Sequence, residues 1–99
     1  MVRHIVSWNF REEISEERRV EVRQELSQRF PVLVGRIPGL LKAEVGMPPL
    51  NSSNCDMALY CEIEDEKSLN IYRDHPEHQA VAAVVKAHCR QRRCVDILS

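Results

Sequence analysis

Residues 2–10 alternate without a break. Val2, His4, Val6, Trp8 and Phe10 fall on one side of an extended chain, and Arg3, Ile5, Ser7 and Asn9 fall on the other. A strand built this way has one face that another layer must cover, and His4 lies on that face, so its ring is expected to point inward. The chain has 99 residues, room for one domain spanning residues 1–99. A domain of this size buries about two thirds of its unfolded surface, so help from a partner subunit is expected.

The covering layer is legible further along. Ser15 is a good N-cap, and Glu16 and Glu17 follow it in a first turn where the helix dipole favours negative charge. Val22, Leu26, Phe30, Leu33 and Ile37 make the buried stripe of this helix, which Pro31 is expected to bend or restart. The "IPGL" segment stops it. A second strand is expected over residues 40–46, then a loop "MPPLNSSN", then a third alternating strand over residues 56–64.

Asp65 can cap a short helix through Leu69 and Tyr72, which must end before Pro76 because a residue preceding proline is pushed out of helical geometry. Pro76 then suits the first turn of the next helix, and "RRCVDIL" reads as a fourth strand. The order is βα-ββ-αβ. It fits an α+β, ferredoxin-like subunit, an antiparallel four-stranded sheet with helices on one face. The other face still carries Ile5, Ala58 and Tyr60, so a two-fold homodimer through the sheet faces, closing a dimeric α+β barrel, is the economical expectation.

Composition narrows the partners. With 29% charged residues and a formal net charge of -1, nothing calls for nucleic acid. The basic run Lys86 to Arg93 has no interleaved aromatics and is read as a solvated helix end. The stretch "MVRHIVSWNF" carries two early charges and no long apolar run, so neither a secretion signal nor a membrane anchor is read from it and a cytoplasmic protein is expected, in which Cys55, Cys61, Cys89 and Cys94 default to thiols. Cys89 and Cys94 with His88 lack both a CxxC pair and a second ligand pair, so no metal is expected. No cofactor is expected either, and no histidine is singled out for haem.

His78 falls at the third position of the helix that Pro76 opens, on the same stripe as Val81, Ala82 and Val85. It is therefore expected inward, where the positive end of the helix dipole disfavours imidazolium and leaves a neutral ring able to accept a proton. Tyr72 shares a face with Leu69, so its ring is also inward. His75 falls at the junction as an N-cap or loop residue. Tyr72, His78 and His4 together make a polar cluster that either closes on itself as a hydrogen-bond network or lines a cavity.

"RHIVSWNF", "DMALYCEIEDEKSLNIYRDHPEHQAVAAVV" and the terminal "VDI" resemble the stress-responsive A/B-barrel (Dabb) domain family over nearly the whole chain. The resemblance implies a dimeric α+β barrel of ferredoxin-like subunits. One plant member, olivetolic acid cyclase, is similar in the Tyr/His motif. That similarity implies catalytic roles for Tyr72 and His78, with His4 and His75 supporting. Two functions are in view: a non-catalytic dimer whose polar cluster stabilises the helix junction, and a cofactor-independent enzyme. The enzyme would bind a small hydrophobic carbonyl or polyketide-like compound and act as an aldol-type cyclase or isomerase.

Overall fold

A computed structural model describes residues 1–46 and 49–99. The elements are β1 (Val2–Phe10), α1 (Glu16–Val32) with a 3-10 turn at Leu33–Gly35, β2 (Leu40–Gly46), β3 (Met57–Ile63), α2 (Glu66–Asp74), α3 (Pro76–His88) and β4 (Cys89–Leu98). The sheet order is β2-β3-β1-β4, with every neighbouring pair antiparallel. This is the expected βα-ββ-αβ plan. Met47 and Pro48 of the expected loop lie outside the described residues, and residues 49–56 hold only turns and bends.

The one-sided strands explain the layering. Val2, His4, Val6, Trp8 and Phe10 are all buried against the helices, as are Met57, Leu59, Cys61 and Ile63 of β3. Val22, Leu26 and Phe30 of α1 pack onto them, with Leu33 and Ile37 continuing the stripe beyond the helix. Pro31 does not restart α1. It sits exposed in the last turn, and the helix runs on through Val32 before tightening into the 3-10 turn.

Gly39 holds the next corner. Its φ of 83° is left-handed, and a Cβ there would stand 2.3 Å from Ser68 Oγ in the first turn of α2. Only glycine lets β2 begin this close to that helix.

β4 departs from the sequence reading. It starts at Cys89, three residues ahead of "RRCVDIL", directly where α3 ends at His88. The pairing with β1 slips between Ser7↔Arg93 and Asn9↔Arg90, so Gln91 and Arg92 together oppose the single residue Trp8. That is a β-bulge, and Gln91 carries it with a positive φ of 55°. The far face of the sheet presents Ile5, Ala58 and Tyr60 half-buried, flanked by Val95 and Ile97 at 50% and 44% exposure.

Candidate functional site

The site is assembled at the α2–α3 junction. Asp65 caps α2 by accepting the Ser68 N–H at 2.7 Å, a bond that holds its carboxyl below the usual range. Leu69 and Tyr72 form the buried face of that helix. His75 is extended, with φ -66° and ψ 133°, ending α2 and capping α3; its Nδ1 accepts the Glu77 N–H at 3.1 Å. Pro76 then opens α3 where an N–H has no helical partner to lose.

Two side chains cross the break. The Arg73 carbonyl, near the end of α2, accepts the Nδ1–H of His78 at 3.1 Å and the Nε2–H of Gln79 at 2.7 Å. A carbonyl can only accept, so this bond places the neutral His78 proton on Nδ1 and leaves Nε2 as a bare acceptor. Desolvation pushes the His78 pKa below its ordinary value, and the charges of His4, Arg92 and Lys86 push the same way against the Arg73 bond. The ring is therefore neutral at pH 7.

Tyr72 lies under it. The two ring centroids are 4.2 Å apart with planes tilted by 37°, and the His4 ring meets Tyr72 edge-on at 5.7 Å. Tyr72 is 2% exposed, and burial drives its hydroxyl pKa far up, so it stays protonated. Its oxygen accepts a long bond from the Cys61 thiol at 3.9 Å, which leaves the hydroxyl hydrogen free to donate. Burial likewise raises the Cys61 thiol to about 12.

His4 is tied to the edge strand. Its Nδ1–H donates to Asp96 Oδ1 at 2.5 Å, with the Cys94 sulfur 3.7 Å away. Among the described residues, His4, Cys94 and Asp96 are the one group of metal-ligand type whose donor atoms converge, within 4.8 Å of one another. Three ligands fall short of the closed tetrahedron of a structural zinc site. Cys89, Cys94 and His88, the trio weighed from sequence, do not form such a group. His88 instead donates from Nδ1 to the Val84 carbonyl at 2.8 Å and accepts from Arg18 Nε at 3.3 Å.

Beside these groups lies a cavity of about 430 Å³ between sheet and helices. His4, Tyr72 and His78 all line it, whereas His75 does not. Val6, Trp8, Phe30, Leu59 and Val85 give it apolar walls. Residues that the sequence reading missed complete the lining. Lys86, Arg90 and Arg92, taken there for a solvated helix end, sit at the cavity, Lys86 from the last turn of α3, and Arg90 and Arg92 because the chain has already turned into β4 and bulged. Nothing in a residue-by-residue reading marks Gln91, a non-glycine with positive φ, as the bulge.

A four-stranded antiparallel sheet backed on one face by helices, with this cavity between the layers, defines a ferredoxin-like α+β protein. The chain belongs to the Stress responsive A/B Barrel Domain (Dabb) family, whose model matches residues 2–99. No curated protein matches it. It is similar to a dimeric protein of unknown function and ferredoxin-like fold from Bacteroides fragilis NCTC 9343, with 28% identity, a TM-score of 0.89, and 97% of this chain and 93% of that one covered. A dimeric ferredoxin-like protein of unknown function from Thermobifida fusca YX gives 25% identity and a TM-score of 0.78 over 97% of this chain and 88% of that one. A Dabb family protein from Mesorhizobium loti, 17% identical with a TM-score of 0.73 over 99% and 95% of the two chains, shares the fold. Among the described residues, no helix is long and apolar enough to cross a membrane.

Proposed function

We propose that this chain is a homodimeric, cofactor-independent enzyme that moves a proton next to the carbonyl of a small, largely apolar compound. The observation that carries this reading is the open cavity bordered by a neutral, correctly tautomerised His78 and a protonated Tyr72. A sealed polar cluster would have supported a purely structural role. In the proposed reaction His78 Nε2 takes a proton from the carbon beside the carbonyl. The C–H electron pair becomes that of an enolate, and its oxygen accepts a hydrogen bond from the Tyr72 hydroxyl. Either the enolate carbon attacks a second carbonyl of the same molecule, forming a C–C bond while that carbonyl's π pair moves onto its oxygen, which takes the proton back from His78, or the enolate recovers the proton from His78 at another carbon. The first outcome is an aldol-type cyclisation and the second an isomerisation. Neither needs an oxidant. His4, fixed by Asp96, supports the Tyr72 ring from its edge, and His75 acts only through the junction it caps.

Dimerisation is supported by the half-apolar outer sheet face and by the dimeric state of the Bacteroides and Thermobifida neighbours. Four unpaired cysteines agree with the expected cytoplasmic setting.

The reading is tested by following deuterium uptake at the central carbon of an alkyl 1,3-diketone in D2O by NMR. The expected result is exchange above the buffer rate that His78→Asn abolishes while the protein stays folded. Equal rates for parent, variant and buffer overturn it. One observation favours a second reading: the His78 and Gln79 bonds to the Arg73 carbonyl tie α2 to α3, as a non-catalytic cluster stabilising the junction would. On that reading His78→Asn lowers the melting temperature and has no turnover to lose.

A further inference from the structure

The cavity lining is segregated by charge. The chain holds 14 basic and 15 acidic residues, yet the lining includes Arg73, Lys86, Arg90 and Arg92 and not one Asp or Glu. Opposite charges therefore do not cancel at this surface as they do over the molecule. Arg90 has a partner, with Nη2 3.4 Å from Glu12. Arg73, Lys86 and Arg92 make no ion pair with a carboxylate among the described residues.

The fold brings these cations to the cavity by two independent routes. Lys86 comes from the last turn of α3 and Arg92 from the bulge opposite Trp8. Their charges reach the reacting groups, since both oppose protonation of His78 and Arg92 favours ionisation of Tyr72. Beyond them the cavity is lined by Val6, Trp8, Phe30, Leu59 and Val85. Cations without counter-ions beside an apolar floor complement a molecule of the opposite build.

We propose that the ligand is an amphiphilic anion, its apolar chain or ring on the aromatic floor and its carboxylate or phosphate against Arg92 and Lys86. This rests on the proposed function and names its substrate class: the head group is held at the rim so that a carbonyl part-way along the molecule faces His78. At roughly 30 Å³ per water-sized group, a cavity of about 430 Å³ takes a ligand the size of a medium-chain fatty acid.

Trp8 is the chain's one tryptophan, so its fluorescence reports occupancy directly. The full chain is titrated at pH 7.5 and low salt with decanoate, decyl phosphate and decanol, each below its aggregation concentration. The expected result is that at least one anion binds about tenfold more tightly than decanol, a preference that salt erodes. Carboxylate and phosphate sources are told apart by which of the two is tighter. Arg92→Gln and Lys86→Gln, both exposed positions that leave the core intact, are expected to bring the anions to the level of decanol without weakening decanol itself. Decanol binding as tightly as both anions overturns the inference, as does a preference that survives the double substitution. Either result leaves the diketone exchange untouched, so this inference falls without the proposed function. Failure of all three probes to bind overturns the inference and removes the cavity as support for the function.

Discussion

His78 lies over Tyr72 at 4.2 Å between ring centroids, yet neither ring hydrogen-bonds the other: His78 is anchored to Arg73 and Tyr72 to Cys61. The two groups are held by separate tethers, so each can be altered without unseating the other.

Tyr72→Phe keeps the ring and removes only the hydroxyl. The lost thiol contact is long, so stability is expected to fall by less than about 1 kcal/mol in urea unfolding. Diketone exchange is expected to fall by roughly a hundredfold, the usual scale for one oxyanion donor. Exchange at the parental rate would remove Tyr72 from the mechanism.

The pH dependence follows from the burial of His78. Its folded pKa lies below its value in the unfolded chain, so between the two the unfolded state binds the extra proton and the folded state does not. The stability that the neutral ring contributes is present above the unfolded pKa, near 6.5, and is lost as pH falls through the window beneath it. Melting temperatures measured across that window should drop more steeply for the parent than for His78→Asn. Parallel curves would show that His78 titrates as a solvated imidazole.

Gly39→Ala is expected to cost about 2 kcal/mol or more in urea unfolding, combining a strained left-handed alanine with the collision against Ser68. Adding Ser68→Gly should recover the part due to collision and leave the backbone part. A fully silent Gly39→Ala would mean that β2 and α2 separate at no cost.

Val95→Lys with Ile97→Lys places two charges on the outer face of the sheet. Sedimentation at micromolar concentration should show the parent at twice the chain mass and the variant at one chain mass, with unchanged circular dichroism. A monomeric parent would leave that face without the proposed partner.

What could be read from sequence was governed by periodicity and punctuation. Alternation in β1 and β3, the four-residue spacing from Val22 to Phe30, and Pro76 as a break are local signals, and each led to the right element. Tyr72 and His78 turned inward for the same reason, since their faces were set by Leu69 and Val81. Pro31 did not restart the helix, because its missing N–H costs one bond to the carbonyl four residues back and leaves the chain free to hold helical geometry through Val32. The cavity was not legible: it is space left between residues distant in sequence, and its cationic side depends on a bulge centred on Gln91.

That bulge changes the parity of β4. Cys94 and Asp96, paired with Val6 and His4, take the helix side of the strand, and uninterrupted alternation would send Arg90 to that side as well. The extra residue instead makes Cys89 the inward partner of Phe10, buried at 5% exposure. One edge strand thus serves two masters, giving the core a thiol at one end and the cavity a guanidinium in the middle. Deleting either Gln91 or Arg92 would do more than shorten the strand. It would remove the bulge itself and leave plain alternation with Cys89 still opposite Phe10, whereas the same strand straightened at its full length would aim Arg90 at Phe10 and expel Cys89, so the local distortion is as much a part of the design as the residues.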